Sequence, residues 1–264
     1  MDYTNLHTFA VCAYKESEYL EACIESLLNQ TAKSQILIST STPNDKIKAT
    51  AEKYGIPVYV NTGEASIAYD WNFAYSQVKT PYLTLAHQDD VYLPEYLETA
   101  MKAFESAQKP LIFFTDYYEL RDGTPVAKNK LLRIKRILLW PMRFRCFKNS
   151  RFIRRRSLSL GCPICCPSVS FARKNLPKAV FEHGYRSNVD WQAWEKISRL
   201  KGAFLYCKKP LMMHRVHADS ETSAVLRDHV RTKEDFEMFS KFWPKWIAKK
   251  LTAVYATSEK SNQL

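Results

Sequence analysis

Between Thr8 and Thr115 short apolar runs alternate with helical patterns, and this alternation limits the fold more than any other feature of the chain. Thr8 to Ala13, Gln35 to Ser39, Val58 to Val60, Pro81 to Ala86 and Leu111 to Thr115 read as buried strands. Between them, Ser17 is placed to cap a helix running to about Asn29, with Leu20, Ile24, Leu27 and Leu28 on one stripe. Asn44 is placed to cap a second helix that Gly55 stops. Ser66 to Val78 and Pro94 to Ala107 carry two more. Strands separated by helices of this length build βαβ units, so the expected class is α/β, a Rossmann-like, mostly parallel sheet flanked by helices.

The pattern changes at Asp122-Gly123, a turn signal. From Gly123 to Phe181 there is no Asp or Glu, and 15 residues are Lys or Arg. The whole chain has 39 basic and 27 acidic residues; without that stretch 24 basic face 27 acidic, a net of -3. One segment therefore carries the cationic excess and calls for an anionic partner: lipid headgroups, a phosphorylated substrate or nucleic acid. Lys128 to Trp140 is expected to be helical, with Leu131, Ile134, Ile137 and Leu138 on one face. Beyond it, Ser168 to Ala172 is expected to return to the sheet, Asp190 to Leu200 to form a helix, Ala203 to Cys207 a strand and Arg227 to Phe242 a C-terminal helix. Ser258 to Leu264 reads as a polar tail.

At 46% apolar and 25% charged residues the chain has the composition of a globular protein, which excludes disordered and fibrous classes. No apolar run approaches ~18 residues, and the first residues carry no secretory signal. Seven irregularly spaced cysteines do not suit a disulfide framework, so the expected compartment is the cytoplasm. Cys162, Cys165 and Cys166 lack the second ligand pair that structural zinc needs, and are read as buried or loop thiols.

In open α/β sheets ligands sit beyond the carboxyl ends of the strands. The first strand delivers Ala13, Tyr14, Lys15 and Glu16 to that rim, the second Ser39, Thr40 and Ser41, and the fourth His87, Gln88, Asp89 and Asp90. Two adjacent carboxylates there either meet a divalent cation with a phosphate ligand or cap the next turn. Asp190, before an aromatic-rich helix, is either an N-cap or a general base. Trp191 and Trp194 suit either core packing or stacking on an acceptor. In His214-Arg215-Val216-His217, strand alternation sends His214 to one side and Arg215 and His217 to the other.

Taken in order, these clusters resemble the family-2 glycosyltransferases of the GT-A fold, a bacterial subset, over roughly Thr8 to Ser220. Ala13-Tyr14-Lys15-Glu16, Tyr19-Leu20 and Ser26 to Thr31 are similar to the family's nucleotide-binding start. Ile67 to Asn72, with Asp70 and Asn72, sits where the family often has an Arg-Asn pair. Ala86 to Asp90 falls at its Asp-x-Asp motif, Val189-Asp190-Trp191 at its Glu-Asp pair, and Arg215-Val216-His217 at its Arg-x-His element. The chain departs from the family at Ser39-Thr40, where a nucleoside-contacting Asp is usual, at His87 in place of the first motif Asp, and at Val189 in place of Glu.

The resemblance implies an inverting, metal-dependent glycosyltransferase of cell-surface polysaccharide or glycolipid synthesis. Asp190 is the expected base, and Asp89 and His217 the ligands of Mg²⁺ or Mn²⁺. Ala13, Tyr14, Glu16, Thr40, Asp70, Asn72, His87, Gln88, Asp90, Trp191 and Arg215 are the expected substrate contacts. Residues 1–122 form the expected nucleotide-sugar half, 123–181 the acceptor or membrane side, and 182–264 the completion of the catalytic domain. The expected partners are a nucleotide-sugar donor, a glycan or lipid-linked acceptor and an anionic membrane surface, which puts the protein at the inner face of the cell membrane. Two rivals are weaker. A nucleic-acid-binding module does not account for the acidic Asp89-Asp90 rim. A sugar nucleotidyltransferase needs a glycine-rich loop near its first strand, and no glycine precedes Gly55.

Overall fold

The computed structural model describes residues 1–64, 66–217 and 230–260. Its centre is one nine-stranded sheet: β1 (His7–Ala13), β2 (Gln35–Thr40), β3 (Val58–Val60), β4 (Tyr82–His87), β5 (Val91–Tyr92), β6 (Pro110–Arg121), β7 (Thr124–Val126), β8 (Val169–Ala172) and β9 (Ala203–Val216). The strand order is β3-β2-β1-β4-β8-β6-β9-β5, with β7 paired to β6. The half built from β3, β2, β1 and β4 is parallel, as the βαβ reading requires. The other half is mixed. β8, from the basic stretch, runs antiparallel to both β4 and β6, and β9 is parallel to β6 but antiparallel to β5. Sequence periodicity could not show this, because β8 and β6 are partners more than fifty residues apart.

Helices cover both faces. α1 (Leu20–Leu28), α2 (Asp45–Tyr54) and α4 (Tyr96–Glu105) share one apolar core with Phe9 and Val11 of β1. α3 (Ile67–Gln77), α6 (Arg151–Leu158), α7 (Val189–Ser198), α8 (Val230–Ser240) and α9 (Lys245–Lys260) share the other with Ala10. Successive β1 residues thus feed opposite cores, the period-2 alternation of a strand buried on both sides. Asn44 and Ser66 cap α2 and α3 with side-chain bonds to Ile47 N–H and Tyr69 N–H, and Gly55 ends α2 in the left-handed conformation.

Ser17 does not cap α1. The N-cap position is Tyr19, and the Ser17 hydroxyl instead accepts from the Tyr19 N–H at 3.2 Å. α5 (Lys130–Leu138) forms where expected, but with a different inner face. Leu132 and Leu139 are buried, whereas Ile134 and Ile137 are 43% and 64% exposed. Leu132 and Leu139 lie two turns apart on one stripe and reach the two cores. The strand expected at Leu111 to Thr115 extends to Arg121, and the one at Ala203 to Cys207 extends to Val216. After Pro244 a further helix, α9, replaces the start of the expected tail. Residues 227–229 of the expected C-terminal helix and 261–264 of the tail lie outside the described residues.

Candidate active site

The tips of β1, β2 and β4 are tied together by side chains. Gln88 accepts from the Tyr14 N–H at 3.1 Å and donates to the Tyr14 carbonyl at 2.8 Å, joining the ends of β4 and β1. Lys15, next to it, has φ of 54°, so the chain leaves β1 through a left-handed turn and presents Glu16 to solvent. Asp70, in the first turn of α3, accepts from Ser41 Oγ at 2.8 Å and from Asn61 Nδ2 at 2.7 Å. It thereby gathers the loops beyond β2 and β3. Thr40 is 2% exposed, and its hydroxyl accepts from the Thr42 N–H, so it shapes the β2 turn. Asn72 spends its amide on the Val180 and Phe181 backbone and braces that segment.

The turn after β4 is the polar centre of the rim. His87, Asp89 and Asp90 offer ligand atoms that all lie within 4.8 Å of one another, the one group of three such residues among those described. Asp90 is fully buried. Its Oδ1 accepts the Arg215 N–H at 2.9 Å and lies 3.0 Å from His214 Nδ1. Asp89 lies 3.1 Å from His217 Nε2 through Oδ2, while its carbonyl accepts from Arg215 Nε at 2.9 Å. The His214 side chain thus goes to Asp90, and those of Arg215 and His217 go to Asp89, the alternation a strand end imposes. The Arg215 guanidinium also sits 4.0 Å over the ring of Tyr19, a residue that adjoins His217. Trp71 stacks on His87 at 5.0 Å and shields its imidazole.

Burial works against every charge here, and the neighbours decide the outcome. Burial raises the Asp89 carboxyl, but the bond from His217 and the nearby histidines outweigh it and hold the group below its usual range. Burial lowers the His214 imidazole, but the Asp90 carboxylate outweighs it and the net shift is upward. For His87 burial wins and the shift is downward, so a neutral imidazole is favoured. Two buried atoms of the group, His87 Nε2 and Asp90 Oδ2, have no hydrogen-bond partner among the described residues. An unpartnered imidazole nitrogen and carboxylate oxygen beside an ionised Asp89 form a donor set that fits a divalent cation.

Asp190 occupies the first turn of α7, two residues after the N-cap Asn188, so it is not the cap. Its Oδ1 accepts the Trp191 N–H at 2.7 Å, and its Oδ2 accepts from the Cys162 thiol at 3.4 Å. Burial raises its pKa, opposed by the Trp191 N–H and by the charge of Lys135. Its own charge reaches His87, where it opposes the effect of burial, so Asp190 lies within electrostatic range of the β4 turn. The loop that delivers it is held by α8: the Glu234 carboxylate accepts the backbone N–H groups of Arg186, Ser187 and Asn188, and Asp235 accepts from Asn188 Nδ2. At the other end of α7 the buried Arg154 donates to the carbonyls of Ser198, Leu200 and Gly202. The carbonyl end of a helix favours such a cation.

A sequence-model match decides the family: the model for glycosyl transferase family 2 covers residues 8–181. The chain belongs to glycosyl transferase family 2. No curated protein matches it in sequence. Solved structures of low identity share its GT-A fold. Residues 1–349 of S. aureus TarS, in complex with UDP-GlcNAc, superpose with a TM-score of 0.62 at 13% identity, covering 95% of this chain and 71% of that one. Mannosyltransferase PcManGT from Pyrobaculum calidifontis, in complex with GDP-Man and Mn²⁺, gives 0.61 at 13%, covering 95% and 68%. Glucosyl-3-phosphoglycerate synthase from Mycobacterium tuberculosis, in complex with Mn²⁺ and UDP-glucose, gives 0.57 at 11%, covering 90% and 79%.

Most of the residues expected at the site lie along the rim. Trp191 does not. It is fully buried, packs edge-to-face on Phe239 and donates its indole N–H to the Leu158 carbonyl at 3.0 Å, so no surface remains for a substrate. Four neighbours were not among the expected contacts, although Tyr19 and Trp71 lie in segments that carry the resemblance: Trp71 on His87, Tyr19 under Arg215, and Cys162 and Lys135 beside Asp190. Lys135 was hidden in a run of cations. Its amine donates to Tyr117 Oη at 3.0 Å, which sets it apart from the exposed Lys128, Lys130 and Arg133.

Proposed function

We propose that the enzyme moves a sugar from a nucleotide-sugar to an acceptor hydroxyl with inversion at the anomeric carbon. The observation that supports this most is Asp190: a carboxylate at the start of a helix, held from both ends of that helix, whose charge reaches His87 of the His87, Asp89 and Asp90 group.

In this reading Asp190 Oδ2 takes the proton of the acceptor hydroxyl as its oxygen bonds to the anomeric carbon, and the bond from that carbon to the diphosphate breaks on the opposite face. Glu16 and the Ala13-Tyr14 turn face the nucleoside, with Asp70 ordering the loops beside it. His87, Asp89 and Asp90, with His217 held against Asp89, would hold Mg²⁺ or Mn²⁺, which when bound offsets the charge on the leaving diphosphate. Arg215, anchored on the Asp89 carbonyl and on Tyr19, brings a fixed positive charge to the same side. The basic segment 123–181 lies on the acceptor side, and the acceptor is a glycan or a lipid-linked one at an anionic membrane surface. That places the enzyme in bacterial cell-surface polysaccharide or glycolipid synthesis, peripheral at the inner face of the membrane. Among the described residues no helix is long and apolar enough to cross a membrane.

The test is a screen of nucleotide-sugars by thermal shift with Mn²⁺, followed by product analysis on the hits. A stabilising donor whose sugar appears on an acceptor with inverted anomeric configuration supports the reading. Stabilisation by none, or a retained configuration, overturns it.

A further inference from the structure

α5 and the 3₁₀ turn Trp140–Arg143 border a cleft of about 510 Å³. Lys128, Arg133, Arg136, Ile137, Trp140 and Arg143 line it, with no carboxylate among the lining residues. The four cations are not equivalent. Arg136 is spent on the fold: its Nε pairs with Asp116 at 2.7 Å and its Nη1 donates to the Ala127 carbonyl. The charge of Arg143 lies near Tyr206, whose buried hydroxyl has no hydrogen-bond partner among the described residues. Lys128 and Arg133 are exposed and make no side-chain hydrogen bond or ion pair among the described residues. One cation held by the fold and three others thus line a cleft with ample room for a phosphate group.

The mouth of this cleft is apolar. Ile137 is 64% exposed and Trp140 55%, and Phe144, 44% exposed, packs edge-to-face on Trp140 at 5.1 Å. Exposed aliphatic and aromatic side chains beside cations are the composition of a surface that sits at the headgroup level of a bilayer. Single-stranded nucleic acid asks instead for open ring faces on which successive bases stack. Here the Trp140 and Phe144 planes cross at 80°, and Ile137 offers no ring.

We propose that this cleft receives the phosphate of an anionic lipid headgroup, with Lys128 and Arg133 closing on it and Ile137, Trp140 and Phe144 seated among the headgroups. The proposal rests on the membrane reading of the function and assigns it a site. Each uncommitted cation near an anionic surface strengthens partitioning about fivefold.

The experiment is co-sedimentation of the full chain with phosphatidylcholine vesicles, with and without phosphatidic acid. Variants are Lys128→Glu with Arg133→Glu, and separately Trp140→Ser. Melting curves confirm folding, and donor binding is measured in parallel. Wild type is expected to sediment only with phosphatidic acid. The double variant is expected to lose at least about 25-fold in partitioning, and Trp140→Ser several-fold, with donor binding unchanged. Equal sedimentation of the double variant, or equal binding to neutral vesicles, overturns the site. So does an oligonucleotide shift or a dimer that the double variant abolishes while vesicles are ignored. A chain that binds donor but no vesicle overturns this site alone; one that binds vesicles but no donor overturns the proposed transfer alone.

Discussion

His217 Nε2 lies 3.1 Å from Asp89 Oδ2, a contact between residues 128 apart in sequence. It joins the end of the last strand to the turn after the fourth and keeps Asp89 ionised despite its burial. Asp89→Asn removes the charge and puts a neutral amide where His217 and a cation meet a carboxylate. It is expected to weaken metal-dependent donor binding at least about tenfold, and His217→Ala somewhat less. Calorimetry with and without chelator checks this. Donor affinity that chelator does not change in wild type speaks against the metal.

Asp190→Asn keeps the shape of the first turn of α7 and removes the proton acceptor. Turnover is expected to fall about 10²–10⁴-fold, with donor affinity nearly unchanged. The same variant is expected to melt no lower than wild type at neutral pH, because a buried carboxyl with a raised pKa costs stability once pH exceeds that pKa. A loss of activity that tracks a loss of melting temperature removes Asp190 from the role.

The same shift sets the pH profile. Asp190 acts only when deprotonated, so the acid limb of kcat is expected above the ordinary carboxylate range. The Lys135 charge lowers that pKa, so Lys135→Met is expected to move the acid limb to higher pH. An unmoved limb in a folded Lys135→Met enzyme counts against the coupling.

His7 is fully buried between Ser34 Oγ at 2.8 Å and Thr84 Oγ1 at 3.0 Å, and burial lowers its pKa to about 3. The unfolded chain takes up a proton near pH 6.5 that the folded chain refuses. Stability is therefore expected to fall as pH drops from about 6.5 towards 3, by about 1.4 kcal/mol per unit from this group. Urea melts at pH 7 and 5 read the slope. His7→Gln is expected to flatten it.

Gly202 combines φ of +142° with a tight approach: a Cβ there would meet the Lys109 carbonyl at 2.6 Å and Leu111 Cγ at 2.8 Å. Its own carbonyl accepts from Arg154. Gly202→Ala is expected to cost about 1–3 kcal/mol or more in denaturant melts, from backbone strain and the clash together. Arg154→Met leaves three carbonyls at the end of α7 without their donor and is expected to cost at least as much.

The parallel half of the sheet was legible because local rules suffice for it. Apolar runs of strand length, the cap at Asn44 and the stop at Gly55 each act within a few residues. The rim at β4 was legible for the same reason: the residues at and just past the carboxyl end of a strand lie on that edge of the sheet, so His87 to Asp90 could be picked out by position, whereas Arg215 to His217 were picked out by the resemblance, the expected strand stopping at Cys207. Periodicity could not supply partnership at long range. The reversed β8 in mid-sheet, the inward face of α5 and the burial of Trp191 depend on which elements meet. The Asp90 contact to β9, the thiol beside Asp190 and the α8 carboxylates on the α7 loop likewise form only once distant segments pack. Residue order carried the kind of chemistry, because side-chain type and strand direction are local. Packing alone decided which carboxylate is buried, ionised or left with an open lone pair, because desolvation and charge are properties of a neighbourhood in space.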